Sequence, residues 1–80
     1  MIHVIAPTRR EAMAWCRESA VGVSGMRWIS RPELLWGVPE GAEVILVNRG
    51  RCLGAMEEAL KAAYRLEKAG RVQLRVEFTK

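Results

Sequence analysis

The chain has 80 residues, half of them apolar, and a net charge of +4. This length and composition predict one compact domain and argue against disorder. No apolar stretch approaches the length of a membrane span, and the apolar first residues follow no basic region typical of a signal peptide. We therefore expect a cytoplasmic protein without membrane contact. All nine acidic residues are glutamate, which excludes chemistry that needs an aspartate after a strand.

The first predicted elements are a strand at residues 2–6 and a helix that begins near Arg9. Thr8 and Glu11 have the spacing of a capping box, in which the Thr8 hydroxyl accepts from the Glu11 amide and the Glu11 side chain reaches back. The helix is expected to run to about Ala20, before Gly22 breaks the chain. Its apolar stripe consists of Ala12, Met13, Cys16 and Ala20.

A short strand is predicted at residues 26–29, with Arg27 facing solvent. Ser30 and Glu33 then indicate a second capping box, which opens a single helical turn around Leu34. Residues 36–42 contain glycine and proline and are predicted as a loop.

The second half begins with a strongly apolar strand at residues 43–47. Residues 48–51 are expected to lead into a second helix that ends near Ala69. The apolar stripe of this helix consists of Cys52, Met56, Ala59, Leu60, Ala63 and Leu66. Apolar and polar residues then alternate over residues 72–78, which predicts a fourth strand with one buried face.

This order of elements predicts an α/β fold over residues 1–80. We expect a minimal Rossmann-like domain of three layers, with a four-stranded, mostly parallel sheet and two main helices. The first and third strands are continuous apolar runs, which is typical of strands buried on both faces, and the fourth alternates, which is typical of an edge. The predicted spatial order of the strands is therefore 2-1-3-4.

Catalysis and metal binding are not expected. Cys16 and Cys52 do not form a C-x-x-C pair, and the chain has one histidine, so we predict two buried, reduced thiols, no metal and no cofactor. His3 lies within a central strand and is predicted to be structural. No serine has plausible His and acid partners, and we expect the protein not to be an enzyme.

A binding site is predicted where the strand order reverses, between the first and third strands. Ligands of such sheets bind outside the carboxyl ends of the strands at this point, and the adjoining helix N-termini favour anions. The predicted anion- or nucleic-acid-binding residues are Thr8, Arg9, Arg10, Asn48, Arg49 and Arg51. Arg9 falls on the apolar side of its helix, which predicts a position at the mouth of the crevice. The alternative is that these arginines are solvated and bind nothing specific.

Two features favour a protein interface instead. Trp36 lies in the predicted loop, where it either serves as an exposed anchor or packs under its own loop. The fourth strand is a candidate edge for self-pairing, with Arg75 and Glu77 on its outer face.

The stretch VIAPTRREA resembles the motif of DEAD-box helicases in which a strand ends in Ala-Pro-Thr-Arg-Glu, and VILVNRGR is similar to their later Thr-Pro-Gly-Arg strand end. The matching positions are Ala6, Pro7, Thr8, Arg9, Gly50 and Arg51. Both motifs touch the nucleic-acid backbone in that family, so the resemblance implies a backbone-binding corner. Arg10 replaces the family's glutamate, and the ATP-binding loop and Asp-Glu box are absent, so no ATPase activity is implied. Convergence on a strand–turn–helix is the alternative explanation.

The first half of the chain also resembles small Rossmann-like α/β proteins of actinobacterial phages. The residues that carry this resemblance are Met1, Ile2, Val4, Ala6, Thr8, Glu11, Ala12, Ser30, Pro32, Glu33, Leu34 and Gly37. It implies the host cytoplasm as the location and implies no activity.

Our leading hypothesis from the sequence is a non-catalytic module that binds a phosphate-bearing ligand, nucleic acid in the first place. The second hypothesis is a protein-interaction module, either a homodimer or a phage factor that binds a host protein, with no nucleic-acid role. A small nucleotide sensor is the third.

Overall fold

The computed structural model describes residues 2–19 and 25–79 of the chain. Its elements are, in chain order, β1 (Ile2–Ile5), α1 (Arg9–Glu18), β2 (Met26–Trp28), a 3₁₀ helix (Pro32–Gly37), β3 (Ala42–Val47), a short 3₁₀ turn (Arg49–Arg51), α2 (Ala55–Lys68) and β4 (Val72–Glu77). The four strands are all parallel and lie in the order β2-β1-β3-β4. The predicted α/β fold and strand order are thus confirmed. Among these residues, no helix has both the length and the apolarity needed to cross a membrane.

The two central strands are apolar on both faces. Val4 in β1 and Ile45 and Leu46 in β3 are all buried, because a layer of side chains covers the sheet on each side. The edge strand β4 alternates as predicted in its first half, with Val72 buried and Gln73 exposed, but Val76 and Phe78 on the predicted buried face are exposed. The contrast between continuous and alternating apolar runs therefore determines which strands lie inside the sheet.

Each face of the sheet carries its own apolar core. The core under α1 consists of Val4, Ala6, Ala12, Trp15, Cys16, Ile45 and Val47. The core under α2 and the Pro32–Gly37 helix consists of Ile5, Ile29, Leu35, Val44, Leu46, Cys52, Met56, Ala59, Ala63 and Val72. Both cysteines are free and buried, as predicted, and burial raises the pKa of each thiol.

The predicted capping box at the start of α1 is confirmed. The Glu11 amide donates to Thr8 Oγ1 at 3.2 Å, and the Thr8 hydroxyl donates to Glu11 Oε2 at 3.1 Å. At its other end α1 stops at Glu18, with Ser19 as its C-cap. Two residues of the sequence prediction, Ala20 and Gly22, lie outside the described residues.

The second predicted capping box, of Ser30 and Glu33, is wrong. The 3₁₀ helix begins at Pro32, and its N-cap is Arg31, which makes no side-chain cap hydrogen bond. Glu33 is therefore the second helical residue instead of the third, which is out of register for a capping box. The helix also runs to Gly37, into the predicted loop. Proline at its first position presets the helical backbone angle with which it begins.

The second helix starts later than predicted. Residues 49–51 form a separate 3₁₀ turn, and α2 begins at Ala55. Its N-cap, Gly54, has a φ of 59°, a backbone angle that side chains with a Cβ disfavour and that turns the chain before the helix. Cys52 therefore lies in the connection before α2 and not on the apolar stripe of the helix, and it is buried there. The predicted burial of Met56 and Ala59 on that stripe is confirmed.

His3 is buried in β1, and its Nδ1 has no hydrogen-bond partner among the residues that the structure describes. Burial, and then the positive charge of Arg27 beside it in the sheet, lower the pKa of His3 below its usual 6.5. The folded chain therefore holds His3 in its neutral form at neutral pH, which supports the structural role predicted for it.

We expect the free energy of unfolding to fall as the pH is lowered through about 6.5, because unfolded His3 takes up a proton more readily than folded His3. His3→Leu should remove this pH dependence. It should also raise the free energy of unfolding by up to about 1–3 kcal/mol above about pH 7.5, since a buried, unpaired nitrogen is lost. Urea denaturation of both proteins over a pH series measures this. Equal pH slopes in the two proteins would contradict the assignment.

Candidate anion-binding site

Asn48 holds the turn after β3 in an unusual conformation. Its backbone lies in the left-handed region, with φ 51° and ψ 44°, which asparagine tolerates better than most residues with a Cβ. The buried Asn48 side chain donates from Nδ2 to Glu11 Oε1 at 2.9 Å and to Thr79 Oγ1 at 2.8 Å. Its Oδ1 accepts from the Thr79 amide at 3.0 Å. Asn48 therefore connects α1 with the residues that follow β4.

The Glu11 carboxylate lies between the two turns that flank the predicted crevice. Its Oε2 accepts from the Thr8 hydroxyl, and its Oε1 accepts from Asn48 and forms an ion pair with Arg51. Only 17% of the Glu11 side chain is exposed. A hydroxyl, an amide and a guanidinium are donors that a phosphate would also use. The Glu11 carboxylate thus accepts hydrogen bonds from three groups that were predicted to bind an external anion. The sequence analysis had predicted only a capping role for Glu11.

Three of the six predicted binding residues, Thr8, Asn48 and Arg51, contact the Glu11 carboxylate. The other three do not. The Arg49 guanidinium donates to the Tyr64 hydroxyl, which ties it to α2. Arg10 is exposed on α1. Arg9 lines a cavity beside β2, on the opposite side of β1 from β3. A role for the six residues in anion binding stays a prediction.

The cavity beside β2 has a volume of about 370 Å³ and is lined by Arg9, Met26, Arg27 and Trp28; we call it the Arg9–Arg27 cavity. The Trp28 indole donates from Nε1 to the Ala6 carbonyl oxygen at 3.2 Å, which fixes the ring at the carboxyl end of β1. Within residues 2–19 and 25–79, neither arginine forms an ion pair. Two arginines without carboxylate partners among the described residues therefore line one cavity.

The sequence did not identify Arg27 as a binding residue and predicted only that it faced solvent. It is half-buried, and its Nη1 lies 3.6 Å from the position that a Cβ on Gly37 would take. A signal was available in the predicted strand order, which places the second strand beside the first. The carboxyl end of the second strand therefore lies near the turn that follows the first strand and carries Arg9.

The predicted interface residues differ in their surroundings. Arg75 forms ion pairs with Glu43 at 3.9 Å and with Glu77 at 3.4 Å, and Glu77 also accepts from Trp15 Nε1 at 3.4 Å. The two charged residues of β4 are thus engaged within the chain. Trp36 is 81% exposed, so it does not pack under its own loop.

Within the described ranges, no group of three or more His, Cys or Glu side chains is placed to hold a metal ion. Comparison of the chain with known protein families, with curated proteins and with solved structures found no match. The chain is a small parallel α/β domain. In the crevice between β1 and β3, Glu11 pairs with Arg51, and a cavity on the other side of β1 is lined by Arg9 and Arg27. Its function is therefore argued from its own residues.

Glu11→Ala should lower the free energy of unfolding by about 1–3 kcal/mol, because hydrogen bonds to a charged group are lost. The vacated position, with the Arg51, Asn48 and Thr8 donors around it, should then take up inorganic phosphate. Phosphate would accordingly raise the Tm of the variant more than that of the parent. Thermal denaturation with and without phosphate measures both effects.

Glu57→Ala is the matched control, since it removes an exposed carboxylate from α2 with the same change in net charge. Equal effects of phosphate on the Glu11→Ala and Glu57→Ala variants would show that Glu11 does not fill an anion position.

Proposed function

We propose that this chain is a non-catalytic module that binds a phosphate-bearing ligand, nucleic acid by preference, through the Arg9–Arg27 cavity. The observation that carries the proposal is the pair of arginines that share this cavity with the Trp28 indole and lack carboxylate partners among the described residues. The ligand class is the one predicted from the sequence. The sequence predicted a site in the crevice between β1 and β3, whereas the proposed site lies on the side of β1 that faces β2.

The chemistry of the cavity suits a phosphate group. Planar guanidinium groups bind phosphate oxygens with two parallel hydrogen bonds. Arg9 is also the first residue of α1, where a positive charge opposes the helix dipole. A bound anion would offset that unfavourable interaction, and the free N–H groups of the first turn would add to its binding.

The positive charge continues beyond the cavity, which favours a polymer of phosphates over a single nucleotide. Arg10 and Arg17 are exposed on α1, and their spacing of about two helical turns places them on the same side of the helix. In the part of the chain that the structure describes, neither forms an ion pair. A nucleic-acid strand that enters the cavity would therefore meet further arginines along α1, and the net charge of +4 would assist its approach.

The double variant Arg9→Ala, Arg27→Ala should bind a short fluorescent DNA or RNA strand about a hundredfold or more weakly at low salt, because two charge-assisted contacts of about 1.5–3 kcal/mol each are lost. The slope of log affinity against log salt concentration should become shallower by about 1–2. Fluorescence anisotropy at several salt concentrations measures both quantities. Circular dichroism verifies that the variant is folded.

Two controls locate the site. Arg65→Ala with Lys68→Ala removes the same charge from the end of α2, and Arg51→Ala removes a cation from the crevice; both should bind like the parent. No binding by the parent at low salt, or equal losses in the two double variants, would overturn the proposal. A loss confined to Arg51→Ala would instead place the site in the crevice between β1 and β3.

A further inference from the structure

Trp36 protrudes beside a second cavity, at the amino ends of β3 and β4. This cavity has a volume of about 320 Å³, and Trp36 forms part of its rim. The other lining residues are Leu35, Val38, Glu40, Leu66, Arg71 and Val72. We call Trp36 and this cavity together the Trp36 surface. An exposed indole next to a cavity lined in part by Leu35, Val38, Leu66 and Val72 is unusual for a surface that contacts water alone.

The cavity has room for a protruding side chain. An indole side chain removes about 150–250 Å² from water when it is buried, and a volume of this size is at the lower end of the range of ligand pockets, about 300–1,000 Å³. Trp36 does not fill the cavity of its own chain, because 81% of its surface is exposed. The same surface therefore offers both a protruding side chain and a cavity that can receive one.

The charges on this surface are self-complementary as well. Glu40 and Arg71 both line the cavity, and neither forms an ion pair within the described ranges. The Gly41 amide donates to the Arg71 carbonyl oxygen at 2.6 Å, so the backbone holds the two charged residues on neighbouring segments. In a two-fold symmetric contact, a pairing of Glu40 with Arg71 of the partner subunit is accompanied by the reciprocal pairing of Arg71 with Glu40 of the partner subunit.

We propose that the Trp36 surface binds a second copy of this chain in a two-fold symmetric dimer. Each Trp36 enters the cavity of the other subunit, and two Glu40–Arg71 ion pairs form at the rim. Contacts of this kind follow the usual pattern of an aromatic anchor in a pocket, with charged pairs at the periphery. This inference is independent of the Arg9–Arg27 cavity and of any nucleic-acid ligand.

Sedimentation equilibrium of the full chain over a range of concentrations tests the proposal. The parent should show a mass of two chains at high concentration. Trp36→Ala should weaken dimerisation at least about tenfold, since a buried aromatic anchor is lost. Phe78→Ala is the control, because Phe78 is also an exposed aromatic, at 68%, but follows β4 at the other end of the sheet; it should dimerise like the parent.

Charge reversal tests the geometry of the dimer. Glu40→Arg alone and Arg71→Glu alone should each prevent dimerisation, because like charges then face each other across the axis. The double variant should dimerise again, and an equimolar mixture of the two single variants should form a heterodimer.

A parent that keeps the mass of one chain at every concentration would overturn the proposal. Dissociation by Phe78→Ala but not by Trp36→Ala would also overturn it and would assign the interface to the β4 edge. Single charge variants that stay dimeric, or a mixture that fails to form the heterodimer, would contradict the two-fold pairing. If the parent were monomeric and a different protein bound through Trp36, the surface would have another occupant and the proposal of a second copy would fail.

Discussion

The hydrogen-bonded contact between Glu11 and Asn48 is the interaction on which the rest of the structure depends. It joins the first turn of α1 to the turn after β3, across the point where the order of the strands reverses. Asn48 also binds Thr79, so the same residue secures the chain beyond β4. The Glu11 carboxylate also forms an ion pair with Arg51, so it is the anion of the crevice between β1 and β3.

This internal anion determines which cations are available to a ligand. Arg51 is paired and Arg49 is bound to Tyr64, whereas Arg9 and Arg27, and Arg10 and Arg17 on α1, form no ion pair within the described part of the chain. No carboxylate lines the Arg9–Arg27 cavity, so an external phosphate would meet no internal anion there. The Trp36 surface lies at the amino ends of β3 and β4, so dimerisation there would leave the arginines of α1 free to bind. Two cavities in one dimer would also raise the avidity for a long nucleic acid.

The sequence predicted the layers of the fold well, because burial on both faces leaves a continuous apolar run and burial on one face leaves an alternating run. It also predicted the Thr8–Glu11 cap, whose partners are three residues apart. The sequence could not show that Glu11 has a second set of partners, since Asn48 is 37 positions away and reaches it only through a left-handed backbone. Local spacing likewise placed Arg9 at the wrong side of β1, because the direction of a long side chain depends on its tertiary neighbours. For the same reason, the sequence could not distinguish an exposed Trp36 from one that packs under its own loop.

The most direct test of the proposed site follows the indole N–H signals of the three tryptophans by nuclear magnetic resonance during titration with a short nucleic-acid strand. Trp28 lines the Arg9–Arg27 cavity, Trp15 donates to Glu77 near the crevice, and Trp36 lies on the proposed dimer surface. We predict that the Trp28 signal shifts progressively with added ligand while the Trp15 and Trp36 signals keep their positions. A Trp28 signal that does not move while the strand binds would contradict the proposed site.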